Sequence, residues 1–178
     1  MKKTMTYQPR NLVSRTKFAL MGAVLAMAWG HVQAMDVVHR WCPPETPVQT
    51  EVIQLSADAL FHFAHSDIRH MLPKGKAELD QLAQKLSSVY ARVDSIKIVG
   101  HTDRIGSEKA NYALGLRRAE TVKAYLSAQG VTAPMQTDSA GESQPVTTNC
   151  QDKGVTAALK ACLQPDRRVT VEITGVKK

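Results

Sequence analysis

Two long stretches with helical spacing bracket a short apolar strand, and this limits the chain more than anything else in it. KGKAELDQLAQKLSSVYARV carries Leu79, Leu82, Leu86 and Val89 at steps of three and four, which predicts an amphipathic helix entered at Pro73 and Gly75. SIKIVG follows, with Ile96 and Ile98 on one face of a strand. After GHTDRIGSEKAN, the run EKANYALGLRRAETVKAYLSAQG predicts a second helix, N-capped by Ser107 and stopped at Gly130. RRVTVEITG closes the chain with Val169, Val171 and Ile173 alternating against Thr170, Glu172 and Thr174, as in a half-buried strand. EVIQLSADALFHF supplies two apolar runs that read as strands or a broken strand. MQTDSAG reads as a short strand, and GVTAALKA as a short helix. The expected fold is α/β, an α+β sandwich: a mixed sheet of about four strands with helices packed on one face.

The chain has 178 residues, 43% hydrophobic and 5% aromatic, enough for one domain with an aliphatic core. The net charge of +7 is unevenly placed. Lys2, Lys3, Arg10, Arg15 and Lys17 all lie in residues 1–34, which contain no acidic residue. The body is therefore close to neutral and lacks the basic excess that nucleic-acid binding requires. The basic end leads into FALMGAVLAMAW and then VQA. That pattern predicts a signal peptide over residues 1–34, cleaved after Ala34, with an uncleaved anchor as the alternative. Residues 35–50 read as an irregular arm broken by Pro43, Pro44 and Pro47, and residues 51–178 as the domain.

Export implies an oxidising compartment. Cys150 and Cys162 lie twelve positions apart on either side of GVTAALKA. Their pairing is expected to contribute about 3 kcal/mol; two buried free thiols are the alternative. Cys42 is then the odd thiol, free or joined to another chain. No zinc-ligand spacing is present, and no cofactor is expected.

The second helix holds an anomaly. Arg118 lies four residues from both Leu114 and Val122, inside a stripe that runs on to Tyr125 and back to Asn111. Desolvating an unpaired guanidinium costs several kcal/mol, so Arg118 needs a carboxylate, backbone carbonyls or an anionic ligand. Asp103 is the nearest acid in sequence that could reach it. Arg118 lies about 16 Å along the helix from Ser107. The corner must therefore double back, on a path that Gly100 and Gly106 permit, with His101 shaping it. On spacing alone, Asp103 and Arg118 form either a ligand site or an internal salt bridge pinning the loop.

Thr102, Asp103 and Gly106, followed by Asn111, Leu114, Arg118 and Ala119, form a pattern that resembles the OmpA-like peptidoglycan-binding domain family. LFHF, the LDQLAQKL helix and DRRVTVEI extend the likeness from about Val52 to Gly175. GESQPV, the Cys150–Cys162 pair and CLQPDRRV look especially like the C-terminal module of outer membrane protein A. The resemblance implies a non-catalytic periplasmic module that grips the diaminopimelate of peptidoglycan stem peptides. Asp103 would take the ligand's ammonium and Arg118 its carboxylate. Asn111 and Thr102 would add hydrogen bonds, Leu114 would line the floor, and Arg167 or Arg168 would add a second positive contact. It also implies association with the cell wall and outer membrane. The chain departs from the family in having Gly115 where a serine is usual. With neither a barrel nor a lipid-attachment box preceding the domain, the expectation is a bare, released module.

Other functions compete. An envelope adaptor would have another protein as its main partner, or would pair as a homodimer through Cys42. A metal-dependent wall hydrolase would draw on His62, His65, His70 and His101, but HFAHSDIRH has no recognised ligand spacing. No G-x-S-x-G elbow for a serine hydrolase occurs.

Overall fold

A computed structural model describes residues 46–62, 64–151 and 154–178. The segment expected to be a signal peptide, its expected cleavage point and Cys42 lie outside the described residues. Strand β1 spans Gln49–Ser56, and a one-turn helix α1 spans Ala57–Leu60. Helix α2 spans Pro73–Val89, strand β2 Tyr90–His101 and helix α3 Glu108–Ala128. They are followed by β3 (Met135–Gly141), α4 (Ala157–Cys162) and β4 (Arg168–Lys177). No helix among the described residues is long and apolar enough to cross a membrane.

The four strands form one mixed sheet in the order β1-β4-β2-β3. The last strand sits inside it, antiparallel to both β1 and β2, while β3 runs parallel to β2. The alternation in β4 separates the two faces. Val169, Val171 and Ile173 are buried beneath the helices with Ile96 and Ile98 of β2. Thr170 and Glu172 line the other face, beside Lys97 and Val99. From α2, Leu79, Leu82 and Leu86 enter this aliphatic core; from α3, Ala119, Val122, Tyr125 and Leu126 do so.

Three local expectations change. The α2 stripe stops at Leu86: Val89 is exposed because the helix ends there, and Tyr90 takes the inward place as the first residue of β2. β2 has twelve residues, twice the apolar run that marks it, because polar residues continue its pairing with β4. SADALFHF does not continue as strand. Ala57–Leu60 turns as helix and buries Ala57 and Leu60, leaving Phe61 in a single bridge to Met71. Cys150 and Cys162 form the disulfide expected of them. They flank a small second core with Leu159 and Leu163, on which the half-buried Ile105 packs.

Helix α3 crosses β2 at a close approach that only glycine allows. A Cβ on Gly100 would fall 1.9 Å from the Gly115 carbonyl oxygen, and one on Gly115 would fall 2.3 Å from Ser139 Oγ. The missing serine at position 115 is thus a packing adjustment. Ser139 of β3 fills the space instead, its Oγ accepting from Gly141 N. This crossing carries the corner after β2 and the middle of α3 to the same end of the sheet.

Candidate functional site

The corner after β2 is wired to its neighbours at several points. Thr102 N donates to Gly141 O at 2.8 Å, and Ser107 Oγ caps α3 by accepting from Ala110 N. Gly106 has φ of 120°, a left-handed conformation that other residues resist. Asn111 folds back from the first turn of α3: its Nδ2 donates to Asp103 O at 3.1 Å and also to Glu142. Asn111 therefore fixes the backbone of the corner. Leu114 is half-buried and stands outside the aliphatic core.

Asp103 and Arg118 are both deeply buried, at 6% and 2% exposure. The internal salt bridge, one of the two readings of this pair, is absent between them. Asp103 Oδ2 accepts from Arg167 Nη1 at 2.8 Å, and Oδ1 accepts from Ile105 N at 3.0 Å. The physical reason lies in Arg167, which enters at the head of β4 with the parity of Val169 and so points under the helices. Its Nε and Nη2 grip Asp58 of α1 at 2.7–3.2 Å, and Nη1 also donates to Lys160 O. One guanidinium thus bridges two carboxylates, and both raise its pKa above the ordinary arginine value.

Arg118 is treated differently. Its Nε donates to the backbone carbonyl of His65 at 3.1 Å, and its guanidinium carbon lies 6.0 Å from the centre of the Phe61 ring. Nη1 is buried and has no hydrogen-bond partner among the described residues. Burial pushes its pKa down to about 10, opposed chiefly by the nearby Asp58 carboxylate and less by Asp103, so it stays charged at neutral pH. The Thr102 hydroxyl is likewise buried without a partner. The segment around His65 covers this cluster. Ser66 O accepts from Thr121 Oγ1 one turn along α3, at 2.6 Å.

Arg168 does not join the cluster. It has the parity of Thr170 and lines a hollow of about 430 Å³ on the open face of the sheet, with His101, Lys97, Asp138 and Glu172. Its Nη2 donates to Gln144 O at 3.0 Å, and its Nε is buried without a partner among the described residues. His101 also faces this hollow, with Nε2 3.2 Å from Thr170 Oγ1 and Nδ1 unpartnered among the described residues. Burial, assisted by the Arg168 charge, pushes its pKa down to about 4. The residue that sequence reasoning missed is Asp58. Nothing distinguishes one acid in SADAL until the one-turn helix brings it to Arg167. Strand parity was a readable signal for choosing Arg167 over Arg168.

Comparison with known proteins agrees with this architecture. The profile of the OmpA family matches residues 60–158. Outer membrane protein A of Escherichia fergusonii is 38% identical over 166 residues, covering 92% of this chain and 46% of that protein. The chain thus spans about half the length of that relative. The periplasmic domain of Helicobacter pylori MotB superposes with a TM-score of 0.57 at 22% identity, covering 71% of this chain and 75% of that one. The cell wall anchor of the T6SS from Pseudomonas aeruginosa superposes with a TM-score of 0.55 at 21% identity, covering 72% and 87%. These structural likenesses speak for the fold. Identity of 38% across nearly the whole chain, together with the profile match, shows that the chain belongs to the OmpA family.

Proposed function

We propose that the chain is a non-catalytic module that attaches to peptidoglycan by gripping the diaminopimelate of its stem peptides. On this reading it is exported to the periplasm, alongside the cell wall and outer membrane. The observation that carries this is Arg118. A guanidinium almost wholly removed from water, with a backbone carbonyl on Nε and a vacant Nη1, has a donor left for a planar anion. Burying such a charge costs several kcal/mol, and a bidentate carboxylate would offset it.

Diaminopimelate ends in a carbon bearing both an ammonium and a carboxylate. The carboxylate suits Arg118. The ammonium suits Asp103, which would exchange part of its contact with Arg167 for the ligand. Asn111 and Thr102 hold the backbone of the corner, the Thr102 hydroxyl supplies a free hydrogen-bonding group, and Leu114 offers a half-buried apolar wall. Arg167 keeps Asp103 oriented through its 2.8 Å hydrogen bond. Arg168, on the open face, would act only by fixing the Gln144 and Asp166 carbonyls behind the site. The His65 segment must lift for the ligand to reach Arg118, so binding is coupled to opening of that cover. Weak single contacts suffice on a wall that repeats its ligand many times.

Co-sedimentation with purified diaminopimelate-containing sacculi tests the proposal. Arg118→Lys and Asp103→Asn should each reduce pelleting at least tenfold, the loss of about one charge-assisted contact, while far-UV circular dichroism stays native. Pelleting equal to wild type in both variants would overturn it.

A further inference from the structure

The segment that covers Arg118 carries a second constellation. Ala64 has φ of 62°, a left-handed turn that reverses the chain just before His65. A single 3-10 turn at Ile68–His70 then brings His70 back beside it. The two imidazoles stack with ring centroids 4.0 Å apart and planes 22° apart. Asp67 lies between them in sequence, its carboxylate oxygens 2.9 and 2.8 Å from His70 Nδ1. One ligand atom from each of His65, Asp67 and His70 can be chosen so that all lie within 4.8 Å of one another.

We infer that His65, Asp67 and His70 form a binding site for a divalent transition ion of the zinc class. Two imidazole nitrogens and one carboxylate oxygen are the donor set zinc prefers, with bonds of about 2.0–2.2 Å. Ligand atoms on a tetrahedral zinc stand about 3.3 Å apart at those bond lengths. Asp67 and His70 are already closer than that, and the exposed His65 side chain closes the remaining gap by swinging inward. The metal takes the place of the hydrogen bond between His70 Nδ1 and Asp67, any proton held there passing to solvent. Water takes the fourth position, since the site opens to solvent. Capping accounts for Asp67, whose Oδ1 accepts from Arg69 N, but not for the approach of His65.

Bound metal would tie residue 65 to residue 70 and stiffen the strap whose carbonyls hold Arg118 and Thr121. This holds whatever Arg118 grips.

The test is calorimetric titration of the full chain, without a polyhistidine tag, with zinc chloride, paired with thermal melting. One zinc ion per chain and a raised melting temperature are expected. His65→Ala and His70→Ala should each weaken binding about tenfold or more, while His62→Ala should not. Magnesium chloride should leave the melt unmoved, because a hard ion favours oxygen ligands. Absence of uptake, uptake unchanged in the His65 and His70 variants, or an equal response to magnesium would each overturn the assignment.

Discussion

Arg167 and Arg168 are adjacent in sequence and live in opposite conditions. Arg167 goes under the helices and meets two carboxylates, so its charge is balanced within hydrogen-bonding distance. Arg168 goes to the open face, meets backbone carbonyls, and shares its surroundings with a histidine whose protonation is disfavoured by burial and, less, by the Arg168 charge. One end of one strand thus supports a cluster in which the arginine is hydrogen-bonded to carboxylates and a hollow in which it is hydrogen-bonded only to backbone carbonyls, separated by the thickness of the sheet. The difference shows what makes a buried arginine a structural element. It is the carboxylate on the other side, and Arg118 resembles Arg168 more than Arg167 in this respect.

The strongest way to break the contrast is to remove the bridge. Arg167→Met strips Asp103 and Asp58 of the guanidinium that hydrogen-bonds both, leaving near them the Arg118 charge, which is bonded to neither. It should cost about 3–5 kcal/mol, read as a lowered urea midpoint with an unchanged slope. Next is acid. The pKa of His101 is depressed in the folded state, so the unfolded chain takes the proton first as pH falls. Its contribution is complete above pH about 6.5 and is lost as pH drops to about 4, by up to about 3 kcal/mol. Urea titrations at stepped pH should show this loss, and His101→Asn should flatten it. Arg168→Met sharpens the comparison: with the neighbouring charge gone, the histidine should resist protonation less and the acid loss should shrink. The smallest effect belongs to the crossing that both regions share. Gly115→Ala should cost about 1–3 kcal/mol by overpacking. Adding Ser139→Ala should restore only part of it, because the Gly100 carbonyl would still lie 2.8 Å from the new methyl.

Periodicity made the fold legible. Leucines at steps of three and four set α2, and alternating valines set β4, because these patterns follow from a single buried face. What could not be read was decided between elements. Tyr90 rather than Val89 closes the stripe because the helix ends there to feed a strand. Asp58 became a partner only once a one-turn helix had formed. The corner and Arg118 stood out because polar residues in apolar company demand an account. Their actual partners, Arg167 and the His65 carbonyl, are 64 and 53 residues away in the chain, and no local spacing encodes such distances.

The register of β1 on β4 has a mechanical consequence. Gln49 pairs with Gly175 at one pole of the sheet, while Ser56 and His101 both meet Arg168 at the other, where the ionic cluster lies. A pull between residue 49 and a ligand held at that cluster would run parallel to the strands, across the hydrogen bonds between them. All eight β1–β4 pairs would then bear the load together. A pull separating residue 49 from residue 177 would instead peel the same pairs apart one by one. The sheet is oriented to hold under tension drawn through the ionic cluster and to yield under tension drawn between its own ends.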